Sequence, residues 1–307
     1  MVFKISNIKE LIIKNQEESV TQSEFVKNYT ASLYANQKLI DSNDEDVIKY
    51  LHAIVLNGSD GTGKTYLASK IASSFGVPVK TINYRDCTMD SLSDVALKLL
   101  EAANWDFDLA ERGIVIIDDV DEKNNKDADQ NKSILSFVND KIYVNIELDT
   151  KDGKKVRAFD TSKLTYVLIT NYKRTRRAIG FGDREDIELS DDGVDLLSKI
   201  TIPITTINTE EYSIEDYKKF LLESERSPLR ELTAYLKSLG EKKKILYTSK
   251  FVDSLIKKAY QKKHGINGLI MVFSEVKDDI ITKIITSDET EIVIDENIFD
   301  KAPLPKK

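Results

Sequence analysis

The chain has 307 residues, a length typical of two domains. Hydrophobic residues make up 41 % and charged residues 32 % of the chain, so it contains enough apolar residues to bury a core. Asp and Glu outnumber Lys and Arg by 52 to 45, and the net charge of −7 disfavours a uniformly basic nucleic-acid binder. One cysteine and two histidines exclude an internal disulfide and a Cys/His zinc site.

The first residues do not form the continuous apolar stretch of a secretory signal, because Lys4, Lys9, Glu10 and Lys14 interrupt it. Elsewhere, no stretch approaches the ~20 apolar residues that a membrane helix requires. We therefore expect a cytoplasmic protein with reduced thiols and without a membrane partner.

Periodic apolar residues predict alternating strands and helices in the first two thirds of the chain. The predicted elements are a helix at 24–40, a strand at 52–56, a helix at 64–75, a strand at 77–82, a helix at 92–103, and strands at 114–117, 164–170 and 200–207. A hairpin is predicted around Asp152-Gly153, and the polar segment 124–132 is predicted to be mobile. Buried strands that alternate with helices indicate an α/β domain with a parallel sheet.

After about Thr209 the pattern becomes mainly helical. The predicted elements there are helices at 214–222, 229–239, 251–263 and 269–286, and short strands at 245–247 and 291–294. The sequence thus predicts a large α/β domain over residues 1–208 and a smaller, mainly helical domain over residues 209–307.

A phosphate-loop pattern, Gly58-Ser-Asp-Gly-Thr-Gly-Lys64-Thr65, follows a predicted strand and begins a predicted helix. Glycines let successive N–H groups face one anion, and the helix N-terminus adds the positive end of its dipole. Lys64 supplies a charge for the β- and γ-phosphates of ATP, and the Thr65 hydroxyl is a ligand for Mg²⁺. An ordinary glycine turn is the alternative, which the strand–loop–helix context disfavours. The expected ATP-binding residues here are Gly58, Ser59, Asp60, Gly61, Thr62, Gly63, Lys64, Thr65 and Tyr66.

Two acidic residues, Asp118 and Asp119, follow the predicted strand at 114–117. Downstream of a phosphate loop, Asp118 is expected to support Mg²⁺ and Asp119 to orient the attacking water. The alternative is that both carboxylates cap a following helix. Asn171 ends another core strand and is a candidate for holding the same water, although a simple turn residue is the alternative there.

In this order the motifs resemble an AAA+ ATPase of the Clp family, and most closely the ClpX protein unfoldases. The resemblance extends from about Val20 to Phe299. The segments that carry it beyond the phosphate loop are Val20–Gln22 with Tyr34, Leu99–Asp118, Phe159–Ser162, Ile179–Gly182 and Gly265–Leu269. It implies a three-layer domain followed by a helical lid, with ATP at their junction and Val20 and Asn267 near the nucleotide. It also implies hexamer-like rings in which neighbouring subunits complete each site.

Three residues depart from the family pattern. Asp119 stands where the family has glutamate, Lys199 where it has a trans-acting arginine finger, and Asn267 where it has the sensor-2 arginine. We also expect neither the family's zinc module nor its aromatic-glycine pore loop. Because these changes concern hydrolysis rather than the phosphate loop, the resemblance implies ATP binding with slow turnover, in which Asp119, Asn171 and Lys199 are the catalytic candidates.

The sequence therefore favours an ATPase that remodels a protein or protein assembly, as a homo-oligomer or hetero-oligomer. A nucleotide-gated structural or adaptor subunit is the alternative, and a nucleic-acid loader is less favoured. The basic cluster Lys173-Arg174-Thr-Arg176-Arg177 fits a solvated loop, a subunit-interface or phosphate-facing role that extends towards Arg184, or a nucleic-acid contact.

Overall fold

The protein divides into two compact units. The large unit comprises Met1–Gly58 and Lys64–Thr209, and the small unit comprises Ser59–Gly63 and Glu210–Lys307. The central residues of the phosphate loop therefore group with the small unit. The computed structural model describes residues 8–17, 19, 21–42, 44–120, 128–140, 142–150, 153–171, 173–176, 185–188 and 196–300. None of the helices in these ranges is long and apolar enough to cross a bilayer.

The large unit combines helices with a parallel sheet. Its described helices are α1 (Ile8–Glu17), α2 (Ser23–Asp41), α3 (Glu45–Ile48), α4 (Lys64–Ser73), α5 (Met89–Ala102), α6 (Phe107–Ala110) and α7 (Ala128–Asn139). Its described strands are β1 (Ala53–Asn57), β2 (Val79–Asn83), β3 (Ile114–Asp118), β4 (Tyr143–Thr150), β5 (Gly153–Asp160), β6 (Thr165–Thr170), β7 (Lys173–Arg176), β8 (Glu185–Glu188) and β9 (Ile204–Asn208). Among the described strands, five form one parallel sheet in the order β2-β3-β6-β1-β9, while β4–β5 and β7–β8 are antiparallel pairs.

Strand β3 shows how the sheet is covered on both faces. Val115 and Ile117 pack in one hydrophobic core, to which α5 and α7 contribute, whereas Ile114 and Ile116 pack in a second core with residues of α2 and α4. Successive side chains of a strand point to opposite faces, so an uninterrupted apolar run is buried on both sides. The predicted α/β class, with helix layers on both faces of a parallel sheet, is confirmed.

The small unit is mainly helical. It contains α8 (Ile214–Glu223), α9 (Pro228–Ser238), α10 (Ser249–Lys262) and α11 (Gly265–Thr286), and the parallel pair β10 (Lys244–Tyr247) and β11 (Glu291–Ile294). Local chemistry sets the helix starts, since Ser213 and Asp216 form a capping box on α8 and Ser227 caps α9 before Pro228. The four helices share one core, in which Leu221, Leu232, Leu255 and Leu269 are buried.

Several predicted boundaries are wrong for identifiable reasons. The last strand of the sheet begins at Ile204 instead of residue 200, because the Ile200 N–H bonds back to Leu197 in a turn and Pro203 precedes the strand. Part of the segment predicted to be mobile is helical, since α7 begins at Ala128 and buries Ile134 and Phe137. Residues 124–127 lie outside the described part of the chain, as does Asp152 of the predicted hairpin turn.

Candidate nucleotide-binding site

Polar residues end the strands of the parallel sheet at one edge. The register places Asn83 of β2 beside Asp118 of β3, and Asn57 of β1 beside both Thr170 of β6 and Asn208 of β9. Ligands of open α/β sheets bind outside the carboxyl ends of the strands. Polar residues from five separate strands therefore meet at the edge where a ligand is expected.

Lys64 begins helix α4 and is only 4 % exposed. Its Nζ donates a hydrogen bond of 2.7 Å to the carbonyl oxygen of Gly58. A buried ammonium requires electronegative partners, and this carbonyl supplies one of them. The charge of Lys64 and the N-terminal dipole of α4 add together at this point, which favours the binding of an anion such as a phosphate group.

Thr65 and Asp118 lie within hydrogen-bond distance although 53 positions separate them in sequence. The Thr65 Oγ1 donates to Asp118 Oδ2 over 2.8 Å. Burial raises the pKa of the Asp118 carboxyl above its ordinary value, and the hydrogen bond from Thr65 opposes that rise. A hydroxyl beside a carboxylate is an oxygen donor set of the kind that Mg²⁺ prefers. The residues present therefore fit a Mg²⁺ ion, which Thr65 and Asp118 would hold.

Asp119 follows β3 in a strained conformation. Its φ of 58° lies in the left-handed region, which Asp tolerates better than most residues but which still costs energy. Its Oδ2 accepts a hydrogen bond of 2.8 Å from the Asn83 Nδ2, and its N–H donates to Asp118 Oδ1 over 3.0 Å. Asn83 is a site residue that the sequence analysis missed. Its signal in the sequence is similar to that of Asp118 and Asn171, since it is a polar residue at the end of a strand, although β2 is an edge strand that is only partly buried.

A buried polar network joins the three strands beside the phosphate loop. The Thr170 hydroxyl donates to Asn57 Oδ1 over 3.1 Å, and Asn57 Nδ2 donates to Asn208 Oδ1 over 2.9 Å. Thr170 is fully buried and Asn57 is 3 % exposed, so these bonds satisfy groups that water does not reach. Asn171 comes directly after Thr170 and is half-buried, and its predicted role towards water stays a prediction.

Within the small unit, the loop segment Ser59–Gly63 packs against the residues around the start of α11. Gly61 and Gly63 have φ of 74° and 83°, which is typical of a backbone nest that binds anions. A Cβ atom on Gly61 would lie 2.0 Å from the His264 carbonyl oxygen, so this close approach requires glycine. The Gly61 carbonyl accepts a bond of 3.0 Å from the Ile266 N–H. This bond satisfies an N–H group in the first turn of α11, which begins at Gly265 and not at Leu269 as predicted.

The remaining predicted residues lie at more exposed positions or outside the residues that the structure describes. Tyr66 is 40 % exposed, with Lys70 Nζ 5.6 Å from its ring centroid. Asn267 is exposed in the first turn of α11. Lys199 is exposed beyond Leu196, and its carbonyl accepts a hydrogen bond from Asn139 at the end of α7. Four predicted features lie outside the described residues: Val20, Arg177, the Ile179–Gly182 segment and Arg184.

Comparison with known proteins agrees with this geometry. Residues 54–189 match the family described as "ATPase family associated with various cellular activities (AAA)". This segment is similar to an AAA domain. The matched range begins in β1 and contains Lys64, Thr65, Asp118 and Asp119.

The chain is also similar to curated proteins named "ATP-dependent Clp protease ATP-binding subunit ClpX". The protein of Borrelia duttonii is 23 % identical over 332 aligned positions, and the alignment covers 94 % of this chain and 75 % of that protein. The Porphyromonas gingivalis protein is 34 % identical over 92 residues, which cover 28 % of this chain and 22 % of that protein. The resemblance of the chain to AAA ATPases and to the ClpX group, indicated by the sequence motifs, is confirmed.

Proposed function

We propose that this chain binds Mg-ATP and hydrolyses it slowly in order to remodel a protein or a protein assembly. In this proposal residues 1–208 are the nucleotide-binding domain and residues 209–307 are its lid. The observation that carries the proposal is the 2.8 Å hydrogen bond between Asp118 and Thr65, the residue that directly follows Lys64 of the phosphate loop. An AAA-family match over the same residues supports it.

Each residue of the site has a definite task in this proposal. The Lys64 ammonium neutralises phosphate charge, while Thr65 and Asp118 hold the metal ion. When bound, Mg²⁺ withdraws charge from the phosphate oxygens and so eases the attack of water. Asp119 orients that water by accepting a hydrogen bond from it, and the Asn83 amide holds the Asp119 carboxylate in one orientation.

Slow hydrolysis follows from three side chains. The Asp119 carboxylate lies one methylene closer to the backbone than a glutamate carboxylate would. Lys199, if it acts on a neighbouring subunit, offers a point charge instead of the planar fork of an arginine. Asn267 offers a dipole in place of a cation. Binding depends on the phosphate loop and turnover on the altered groups, so affinity and rate are expected to separate.

A calorimetric titration with Mg-ATP tests the binding step. Lys64→Ala is expected to abolish most of the binding, because a phosphate in a partly dehydrated site would lose its fixed cation. Lys70→Ala is the matched control, since it removes a lysine from the same helix that lies outside the phosphate-loop motif. Circular dichroism melting establishes that both variants fold. Equal affinities in Lys64→Ala and in the unchanged protein would refute nucleotide binding at the phosphate loop.

A nucleotide-gated adaptor subunit is the second candidate, favoured by the retracted carboxylate of Asp119. The two candidates differ in steady-state turnover, which the adaptor does not need. In both cases we propose that ATP promotes assembly into oligomers, with a hexamer-like ring as the leading arrangement. Mass photometry with and without Mg-ATP measures this, and a species that stays monomeric at high protein concentration would contradict assembly. DNA binding that weakens steeply with salt would instead favour the nucleic-acid loader.

A further inference from the structure

Three carbonyl groups of the loop segment Ser59–Gly63 accept hydrogen bonds. The Ser59 carbonyl accepts from the Thr62 hydroxyl over 2.8 Å, and the Gly61 carbonyl accepts from the Ile266 N–H over 3.0 Å. The Thr62 carbonyl accepts a hydrogen bond of 2.7 Å from the hydroxyl of Tyr212, 150 residues away in sequence. In an anion-binding nest the N–H groups face the ligand, and the carbonyls must therefore be held elsewhere. These three bonds do so.

The bond from Tyr212 is the one made by a side chain distant in sequence. Thr62 is 2 % exposed and Tyr212 is 9 % exposed, so water competes weakly for either group. The ring of Tyr212 is fixed by an edge-to-face contact with Tyr217, with centroids 6.3 Å apart, and Tyr217 contacts Tyr260 in the same way at 5.8 Å. The hydroxyl is therefore aimed at the loop by a packed aromatic cluster, which consists of Tyr212, Tyr217 and Tyr260.

We infer that Tyr212 is a positioning residue for phosphate binding: its hydroxyl holds the Thr62 carbonyl away from the phosphate-binding side of the loop. This inference rests on the proposed binding of Mg-ATP at the same loop. Without the hydroxyl, the peptide between Thr62 and Gly63 loses a fixed orientation, and a carbonyl that turns towards the ligand repels phosphate oxygens. A phenylalanine fills the same space but cannot supply the donor.

Tyr212 also couples the loop to the aromatic cluster. Because its hydroxyl bonds the Thr62 carbonyl while its ring packs against Tyr217, phosphate binding and the packing of the cluster become energetically linked. Linkage is reciprocal, so a bound phosphate also stabilises the position of Tyr212. A residue outside the phosphate-loop motif thereby influences how well that motif binds its ligand.

The test compares Tyr212→Phe with Tyr217→Phe, which removes a hydroxyl from the same cluster but leaves the bond to Thr62. Two probes are titrated by competition with a fluorescent ADP analogue: Mg-ADP and magnesium pyrophosphate, which contacts the loop without a nucleobase. We expect Tyr212→Phe to weaken both probes by about tenfold, since one buried acceptor loses its partner. Tyr217→Phe is expected to bind both probes as the unchanged protein does. The affinities are measured well below the unfolding temperature, so that lowered stability alone does not change them.

A second pair of variants tests the contact between the loop and the start of α11. A Cβ atom on Gly265 would lie 2.5 Å from the Gly61 carbonyl oxygen, whereas Gly240 has nothing within 4 Å of its Cβ position. Both glycines have left-handed φ, 52° and 85°, so Gly240→Ala matches the backbone strain of Gly265→Ala without the clash. We expect Gly265→Ala to weaken the binding of both probes and Gly240→Ala to leave it unchanged.

The possible outcomes distinguish whether the inference holds, whether it is wrong, and whether the proposed function itself is wrong. Weaker binding of both probes to Tyr212→Phe and Gly265→Ala supports the inference. If Tyr212→Phe weakens Mg-ADP but not pyrophosphate, the hydroxyl acts on the nucleobase and the inference is wrong. Unchanged binding of both probes to Tyr212→Phe also overturns it, while nucleotide binding itself stands. Failure of the unchanged protein to bind Mg-ADP would instead refute the proposed function.

Discussion

Asn83 donates a hydrogen bond of 2.8 Å from its amide to the carboxylate of Asp119. The two residues lie at the ends of neighbouring strands: Asn83 is the last residue of β2 and pairs in register with Asp118, and Asp119 directly follows Asp118. Asp119 also holds its backbone in the left-handed region, so both its main chain and its side chain are constrained. A carboxylate that is constrained in this way loses little freedom when it orients a water molecule.

Replacement of Asn83 tests this constraint. Asn83→Ala is expected to lower kcat about tenfold and to leave the affinity for ATP unchanged, because the amide orients Asp119 and does not belong to the phosphate loop. Asn145→Ala, at an exposed position of β4, is the control. Single-turnover hydrolysis and calorimetry separate the two quantities. Faster hydrolysis in Asn83→Ala would show that the amide restrains Asp119 instead of preparing it.

Removal of the Thr65 hydroxyl tests the metal ligands. Thr65→Val keeps the shape of the side chain but deletes the oxygen that contacts Asp118. We expect affinity for Mg-ATP to fall by about tenfold or more, with little change in the affinity for ATP measured in EDTA. Ser69→Ala, in the same helix, deletes a hydroxyl that pairs with Thr81 and is expected to change neither affinity. Equal losses with and without Mg²⁺ would contradict a role in metal binding.

The raised pKa of Asp118 predicts a stability cost in the nucleotide-free protein. Burial disfavours its charged form, so the folded state binds this proton more tightly than the unfolded state does. The cost is absent below the unfolded pKa and grows as pH rises through the folded pKa. Asp118→Asn is therefore expected to raise the unfolding midpoint at pH 7, while binding of Mg-ATP is weakened.

The pH dependence of this difference is the check. The advantage of Asp118→Asn over the unchanged protein is expected to shrink as pH falls towards the ordinary pKa of an aspartate, because protonation removes the charge that burial disfavours. Thermal melts without nucleotide between pH 4 and 8 measure it. A difference that stays constant over this range would show that the carboxyl of Asp118 is not the cause.

Lengthening Asp119 tests the origin of slow turnover. Asp119→Glu is expected to raise the hydrolysis rate by returning the carboxylate to the reach that the family uses, and Lys199→Arg is expected to do the same through a planar donor. Glutamate is less tolerant of a left-handed φ than aspartate, so Asp119→Glu is also expected to lower the unfolding midpoint. A fast unchanged enzyme that slows on both substitutions would show that the site is already adapted to Asp119 and Lys199.

Local sequence patterns predicted much of the large unit. The uninterrupted apolar run of β3, followed by two carboxylates, specifies both a strand buried on two faces and the place where the acids emerge. The glycine spacing before α4 likewise predicted the phosphate loop. The start of β9 was misplaced, because an apolar run from Ile200 continues through Pro203 without a visible change of period.

Contacts between distant stretches were not predictable in the same way. Asn83 reaches Asp119 only because β2 and β3 are neighbours in the sheet, and strand order is not encoded in local periodicity. The bond from Tyr212 to Thr62 joins residues 150 positions apart. Nothing in the local sequence distinguishes Tyr212 from another aromatic residue that precedes a helix.

The buried pair Asn57 and Asn208 has a consequence for how the chain finds its fold. Strand β9 is the last strand of the sheet and, of its residues, only Ile207 is buried, so apolar contacts define its alignment poorly. A slip by one residue would break the hydrogen bond between the two amides and place Asn57 beside Ile207 or Thr209 instead of Asn208. The amide pair therefore favours one alignment of β9 against β1, and this alignment determines the residue at which the chain leaves the sheet.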